Sequence, residues 1–166
     1  MKIILKQELA GRIFLIFFSF LFSSVAVYSI IKGKTSLSTN IVMCLFAIVF
    51  IILLANYLIT SIIIEDSRIT YKNLYGSRTM NFAEVIRVES KARIDSINLH
   101  GVHAKYTTTL YSSSAKIEIP IKSFSRKDLA ELALILMIRC TKAMIDDTTQ
   151  QMAQGKMPSA FFKNKK

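Results

Sequence analysis

Two apolar stretches decide the fold of this chain: IFLIFFSFLFSSVAVYSII at Ile13–Ile31 and IVMCLFAIVFIILLANYLITSIII at Ile41–Ile64. They are 19 and 24 residues long, and neither contains a charged residue. A helix that crosses the hydrocarbon core of a bilayer, about 30 Å thick, needs about 20 residues at a rise of 1.5 Å each. We therefore predict that residues 1–64 form a short N-terminal segment and a two-helix transmembrane hairpin, with the lipid bilayer as the first partner.

The basic residues around the hairpin predict its orientation. Two of them, Lys32 and Lys34, lie between the apolar stretches, whereas six flank the pair: Lys2, Lys6, Arg12, Arg68, Lys72 and Arg78. Because segments rich in Lys and Arg stay in the cytoplasm, we predict a multi-pass protein of the bacterial inner membrane with both termini cytoplasmic.

A cleaved signal peptide is the alternative interpretation of the first stretch. Ser24-Val25-Ala26 offers small residues where a signal peptidase cuts, and a basic start precedes the apolar run. Glu8 in the leading segment and the continuation of the apolar run to Ile31 argue against cleavage. Cleavage would place the rest of the chain outside the cell.

The charge balance indicates the kind of surface the chain meets. The formal net charge is +11, and such a basic protein beside a bilayer favours a leaflet rich in anionic lipid. No nucleic-acid-binding motif is present, so nucleic acid is not expected as a partner. The two isolated cysteines, Cys44 and Cys140, suit a reducing compartment.

From residue 65 the hydrophobic period changes to two, which is typical of β-strands. The pattern predicts a β-domain over residues 65–145, with Gly101 at a bulge or bend and Pro120 on an edge strand. The predicted strands are Arg68–Lys72, Thr79–Phe82, Val85–Ile94 and Lys116–Lys122, with a further strand or a broken pair of strands over Asn98–Tyr111.

A helix is predicted from Ser125, which has the spacing of a capping box with Asp128, to about Ile145. One face, predicted to pack on the sheet, carries Leu129, Leu132, Ala133, Leu136, Cys140 and Met144. The other side is also apolar, and it carries the residues predicted to bind a partner: Leu134, Ile135, Ile138 and Ile145. That partner is a second copy of the chain or another protein; the alternative is that loops of the same domain cover this face.

Residues 146–166 are predicted to form a flexible basic tail, either solvated or bound reversibly to an anionic membrane surface.

After the predicted hairpin, the first strand leaves the membrane through Ile69, and the turn Phe82-Ala83-Glu84-Val85-Ile86 follows. With these residues, the order of elements over about residues 12–145 resembles that of bacterial membrane-anchored PH-like proteins, in which a two-span hairpin precedes a pleckstrin-homology-type domain. The resemblance implies an α+β membrane protein: a transmembrane hairpin followed by an antiparallel, PH-like β-sheet or barrel that a C-terminal helix caps. It also implies a binding or scaffolding role and supplies no catalytic residues.

Other candidate site residues fall into three groups. Arg87, Lys91 and Arg93 form a basic ladder that could contact anionic lipid or an acidic partner, although Glu89 interrupts it and the alternative is a solvated sheet face. Asn56 is expected to make an interhelical polar contact, for example with Ser19, Ser23 or Ser24. His100 and His103 point to opposite faces of a strand and have no acid or cysteine cluster beside them. We therefore expect no catalytic residue, no metal site and no cofactor.

The sequence thus predicts a non-enzymatic, membrane-anchored binding or scaffold protein. In this interpretation it is a subunit of a membrane-associated assembly that engages a protein partner, or a second copy of itself, through its PH-like domain. The alternatives are a module that binds anionic lipid and a regulatory or immunity-like inhibitor of another membrane protein.

Overall fold

The computed structural model describes residues 2–32, 36–98, 101–121 and 124–157 of the chain. By its contacts the chain divides into two compact units. The helical unit comprises residues 7–60 and the turn at residues 73–76. The β unit comprises the chain up to Lys6, residues 61–72, and the chain from Ser77 onward.

The helical unit is a pair of long apolar helices, α1 (Leu9–Lys32) and α2 (Leu37–Ile59). Stacked phenylalanines line the contact between them; the ring centroids of Phe22 and Phe50 are 4.8 Å apart. Ser19 Oγ donates a hydrogen bond across the pair to the carbonyl oxygen of Phe50, at 3.3 Å. Both helices are long and apolar enough to cross a membrane, and most of their large apolar side chains are exposed.

The second apolar stretch was predicted to be helical to Ile64, and this boundary is wrong. The helix α2 ends at Ile59, and Ser61–Ile64 is a strand, β2. β-branched residues favour strands, and here Ile62 and Ile64 point into the core of the β unit. A short run of isoleucines is compatible with an apolar helix and with a buried strand, so its periodicity does not distinguish the two kinds of element.

The N-terminal segment was predicted only as a leader to the hairpin, yet it contains a strand, β1 (Ile3–Lys6). This strand pairs antiparallel with β2, from Ile3 opposite Ile64 to Lys6 opposite Ser61. The sequence before the first helix and the sequence after the second helix therefore belong to one sheet.

Within the described residues the β unit contains two four-stranded sheets around one core. The first has the order β1-β2-β3-β4, with β3 at Arg68–Asn73 and β4 at Gly76–Asn81. The second has the order β7-β6-β5-β8, where β5 is Arg87–Asn98, β6 is Gly101–Tyr111, β7 is Lys116–Pro120 and β8 is Met144–Ile145. β2 pairs antiparallel with β3, and β6 pairs antiparallel with β5 and β7, whereas β8 runs parallel to β5. The strand with Pro120 lies at a sheet edge, as predicted.

The turn that carried the resemblance joins the two sheets. Phe82–Glu84 is a single 3₁₀ turn, and the side chains of Phe82 and the following Val85 are buried. A bulge at Gly101 was one of the two predictions for that glycine, and it is wrong. Gly101 begins β6, and the register shift lies in β5, between Ile94 and Ser96.

The helix α3 (Arg126–Arg139) packs its predicted inward face on the sheets. Ser125 Oγ accepts a hydrogen bond from the backbone N–H of Asp128 at 3.1 Å, which confirms the predicted N-cap. Leu129, Leu132, Ala133, Leu136 and Cys140 are all buried. The helix ends six residues before the predicted limit, and Met144 consequently lies in β8 with an exposed side chain.

A fourth helix, α4 (Asp147–Ala153), occupies the start of the segment predicted to be a flexible tail. Asp146 caps it, and a buried hydroxyl network ties it to the sheet: Ser90 Oγ lies 2.8 Å from both Thr108 Oγ1 and Thr149 Oγ1. Met152 completes the attachment by entering the core. The seven residues of α4 are mostly polar and show no amphipathic pattern, so this helix was not predicted from the sequence. It is held in place by the side chain of Met152 and the hydroxyl of Thr149. Residues 158–166, with the phenylalanines and lysines of the tail, lie outside the described residues.

The pairing of β1 with β2 gives a test of the fold. Leu5 is 5% exposed and belongs to the core cluster, whereas the neighbouring Ile4 is 48% exposed. We expect Leu5→Ala to lower the free energy of unfolding by about 2–5 kcal/mol, the usual cost of emptying a buried leucine site. The matched variant Ile4→Ala should stay within about 0.5 kcal/mol of the parent. Denaturant unfolding of the detergent-solubilised protein measures both, and equal effects would contradict the burial of β1.

Candidate functional site

The outer face of α3 exposes large apolar side chains of the β unit. Leu134 is 47% and Ile138 is 61% exposed, and one helical turn separates them, so their side chains are neighbours. Ile135 is half-buried against the core. Ile145, predicted to share this face, lies in β8 beyond the end of the helix and is half-buried as well.

A groove runs beside this face. Its apolar lining comes from α3 (Ile135 and Ile138) and from the first residue pair of the β1–β2 ladder (Ile3 and Ile64), and its volume is about 180 Å³. Glu65 and Arg139 complete the lining. We use the name α3 groove for the apolar lining residues Ile3, Ile64, Ile135 and Ile138 together with the exposed Leu134, which does not line the cavity and lies one helical turn from Ile138. The helical residues of this surface were predicted from the sequence, whereas Ile3 and Ile64 were not, because β1 was not predicted.

The charges at the rim of the groove are paired within the chain. Arg68 Nε donates a hydrogen bond to Glu65 Oε2, which holds the pKa of the Glu65 carboxyl below its ordinary value. Arg139 Nη1 donates to the carbonyl oxygen of Asp66 at 2.9 Å, and Nη2 lies 3.6 Å from the Asp66 carboxylate. The groove thus has an apolar lining, and the charged side chains beside it are paired with groups of opposite charge. Such a surface suits an apolar side chain of a partner better than an ion.

The described basic side chains of the ladder on β5 form ion pairs within the chain. The carboxylate of Glu89 is nearly buried and binds both described cations, Arg87 and, at 3.0 Å, Lys91 Nζ. The guanidinium of Arg87 also lies over the ring of Tyr111, 5.9 Å from its centroid. The side chain of Arg93 lies outside the described part of the structure. The geometry of the described members is that of an internally paired sheet face, and their role in binding lipid or an acidic partner stays a prediction.

Asn56 has a partner other than the one expected. Its amide oxygen accepts a hydrogen bond from the backbone N–H of Leu74 at 3.2 Å, whereas Ser19 bonds across the helix pair to Phe50. Leu74 lies in the turn between β3 and β4, far along the chain, which is why sequence spacing did not indicate it.

The groups that could support chemistry are not assembled in the described residues. No cluster of three or more His, Cys, Asp or Glu side chains that could hold a metal ion occurs among them. His100 and the side chain of His103 lie outside the described part of the chain. The hydroxyls of Ser90, Thr108 and Thr149 bond to one another and fix α4 to the sheet, so their arrangement has a structural explanation.

Comparison with known proteins gives one match. A model for a family of unknown function (DUF6560) matches residues 1–127, so the chain belongs to that family. The matched region contains both apolar helices and the strands β1 to β7, and it ends at the second residue of α3. No curated protein and no solved structure matches the chain.

Cys140 offers a test of how α3 packs. It follows the last residue of the helix, it is buried, and this burial raises the pKa of its thiol to about 11. Because the thiolate is the reactive form, we expect Cys140 to resist alkylation at pH 8 in the folded protein. In a Cys44→Ser background, denaturant should expose Cys140, and its alkylation measures unfolding of the β unit. Rapid alkylation without denaturant would contradict the packing of α3.

Proposed function

We propose that this member of a family of unknown function is a non-enzymatic, membrane-anchored binding protein that engages a protein partner through the α3 groove. The observation that carries the proposal is the exposure of Leu134 and Ile138 beside an apolar groove whose surrounding charges are already paired. Exposed apolar side chains next to a concave surface are the usual composition of a protein-binding site. The protein acts in this proposal as a subunit of a membrane-associated assembly.

The helical unit supports the membrane anchor. Its exposed surface is made of large apolar side chains along both helices, a surface that water solvates poorly and lipid chains solvate well. We place both helices across the bacterial inner membrane, with both termini in the cytoplasm, because the flanking segments hold six of the eight basic residues around the hairpin.

The pairing of β1 with β2 supports an even number of crossings. β1 precedes α1 and β2 follows α2, and their backbones hydrogen-bond to each other, so both must lie on the same side of any membrane that the helices cross. The same pairing argues for retention of the first helix, since cleavage after Ala26 would remove β1 and the buried Leu5 with it.

The β unit supports a PH-like fold. Two four-stranded sheets share one core, and α3 lies against that core through its buried leucines. A PH-type domain combines two antiparallel sheets with a C-terminal helix; here the ladders that join β1 to β2, β2 to β3, β5 to β6 and β6 to β7 are antiparallel, whereas the short pairing of β8 with β5 is parallel. This arrangement agrees with a binding or scaffolding role.

An anionic-lipid module is the weaker candidate. Arg87 and Lys91 would have to give up contacts with the nearly buried Glu89 in order to bind a phosphate, and a buried carboxylate that loses its partners is costly. A regulatory or immunity-like inhibitor would use the same groove, and the identity of the partner separates it from an assembly subunit.

The partner site is tested by placing a charge in the groove. We expect Ile138→Glu, and independently Leu134→Glu, to abolish co-purification of a stoichiometric partner from native membranes in mild detergent, because a carboxylate cannot be desolvated in an apolar contact. Quantitative mass spectrometry of the purified complex measures the partner. Folding is checked by the protection of Cys140.

Two further variants make that experiment decisive. Ile86→Glu introduces the same charge at a residue of comparable exposure, 54%, outside the groove, and it should retain the partner. Leu132→Glu places the charge in the core and should unfold the β unit. Retention of the partner by Ile138→Glu and Leu134→Glu, or its loss from folded Ile86→Glu, would refute the groove as the binding site.

The topology has its own measurement. Fusions of alkaline phosphatase, which is active only outside the cytoplasm, and of a fluorescent protein that folds only inside it, are placed after residue 157. We expect fluorescence and no phosphatase activity, and the same result for fusions at the N-terminus. Phosphatase activity at the C-terminal position would contradict the cytoplasmic location of the β unit.

A further inference from the structure

The turn between β3 and β4 leaves two large apolar side chains exposed. Leu74 is partly exposed and Tyr75 is 88% exposed, the highest value among the large apolar residues of the described chain. The turn is preorganised: Asn73 Oδ1 accepts a hydrogen bond from the N–H of Tyr75 at 2.9 Å, and Gly76 follows with a φ of 137°, which a residue with a side chain rarely adopts. We call residues 73–76 the hairpin tip.

The hairpin tip is held against the end of α2. The backbone N–H of Leu74 donates to Asn56 Oδ1 at 3.2 Å, and the tip belongs to the same compact unit as the two helices. Asn56 lies three residues before the end of α2, which is about 5 Å of axial rise.

This end of the helical unit carries polar groups. Tyr57, next to Asn56, donates a hydrogen bond from its hydroxyl to the carbonyl oxygen of Glu8 at 3.1 Å, and Arg12 lies in the first turn of α1. The middle of the helix pair, by contrast, is held by stacked phenylalanines. With 23 residues, α2 is about 35 Å long, so a helix that crosses a core of about 30 Å has Asn56 near the boundary between hydrocarbon and headgroups.

We propose that the hairpin tip is a second membrane anchor, in which Leu74 and Tyr75 insert into the headgroup region of the bilayer beside α2. The inference rests on the proposed membrane anchor and adds a contact made by the β3–β4 turn. Tyrosine prefers this depth because its ring is apolar and its hydroxyl is polar. Lys72 and Arg78, both exposed, flank the tip in the sequence and supply charges for anionic headgroups.

The chain contains no tryptophan, so a single introduced tryptophan reports on a chosen position. Tyr75→Trp is the tip reporter. Ile48→Trp, at the middle of α2, is the span reporter for the bilayer crossing. Ser113→Trp, in the exposed turn between β6 and β7, is the turn reporter and gives the value for a solvated turn. Each full-length variant is reconstituted in phosphatidylcholine–phosphatidylglycerol vesicles that contain lipids brominated either near the headgroup or deep in the acyl chain.

We expect the emission of the tip reporter to be blue-shifted relative to that of the turn reporter and to lose most of its intensity with bromines near the headgroup. The span reporter should lose intensity with the deep bromines. If the span reporter is quenched and the tip reporter is not, the helices cross the bilayer and the anchor at the tip is refuted.

Two other outcomes are distinguishable from that one. Failure to quench the span reporter would refute the membrane anchor itself, and with it the proposed function. A blue shift of the tip reporter without quenching by either lipid would show that a protein covers the tip, and this too refutes the second anchor.

The role of Asn56 is tested in the same assay. Asn56→Leu removes the acceptor for the N–H of Leu74 while keeping the size of the side chain and the apolar character of the helix. We expect the tip reporter to lose part of its headgroup quenching in this background, with the quenching of the span reporter and the protection of Cys140 unchanged. Unchanged quenching of the tip reporter would refute Asn56 as the group that positions the tip.

Discussion

The hydrogen bonds between β1 and β2 are the constraint on which the rest of the structure depends. They join Ile3–Lys6 to Ser61–Ile64, and everything between these strands is the helix pair with its short connections. The ladder brings Leu5 into one core with Ile62 and Ile64 and adds β1 as the edge strand beside β2, so the first sheet is not complete without it. It also brings Ile3 and Ile64 together at the α3 groove. The four-residue strand β1 thus forms the edge of a sheet and contributes to the α3 groove. It also keeps the segment before α1 beside the segment after α2.

The distribution of charge around the β unit explains why one surface stands out. The second sheet carries several charged side chains, but Arg87 and Lys91 share Glu89, and Lys116 Nζ lies 3.0 Å from Glu118. At the rim of the groove, Arg68 and Arg139 are bonded to Glu65 and Asp66. Pairing of this kind lowers the local field that attracts ions. Leu134 and Ile138 instead present exposed apolar area, and burying that area is where association with a partner gains most.

The sequence predicted the parts of the fold that have a local signal. The two long apolar helices, the strands β5 and β7, the cap at Ser125 and the inward face of α3 follow from periodicity and from short-range hydrogen bonding, and the structure has them. The parts that were missed depend on partners distant in the chain. β1 is stabilised by its pairing with β2. α4 is held by the hydroxyl network in which Ser90 bonds to both Thr108 and Thr149. The helix α2 ends where it does because Ile62–Ile64 pairs with both β1 and β3. For the candidate site this means that the helical residues were identified and the strand residues opposite them were not. The same reason applies to Asn56, whose bond to Leu74 joins residues that no periodic pattern relates.

The separation of β1 from β2 along the chain also sets an order of events during synthesis. β1 leaves the ribosome first but has no β2 to pair with until Ser61–Ile64 follows, about 55 residues later, which takes about 3 to 11 s at ordinary elongation rates. In the membrane arrangement proposed above, the two apolar helices must cross the bilayer as a hairpin, because only a completed hairpin returns Ser61–Ile64 to the side on which β1 lies. The core of the β unit therefore closes only after Ser61–Ile64 has come back to β1, so in the proposed arrangement a chain with only one helix across the bilayer cannot pair β1 with β2. Such a chain leaves β1 without its partner strand and the first sheet incomplete.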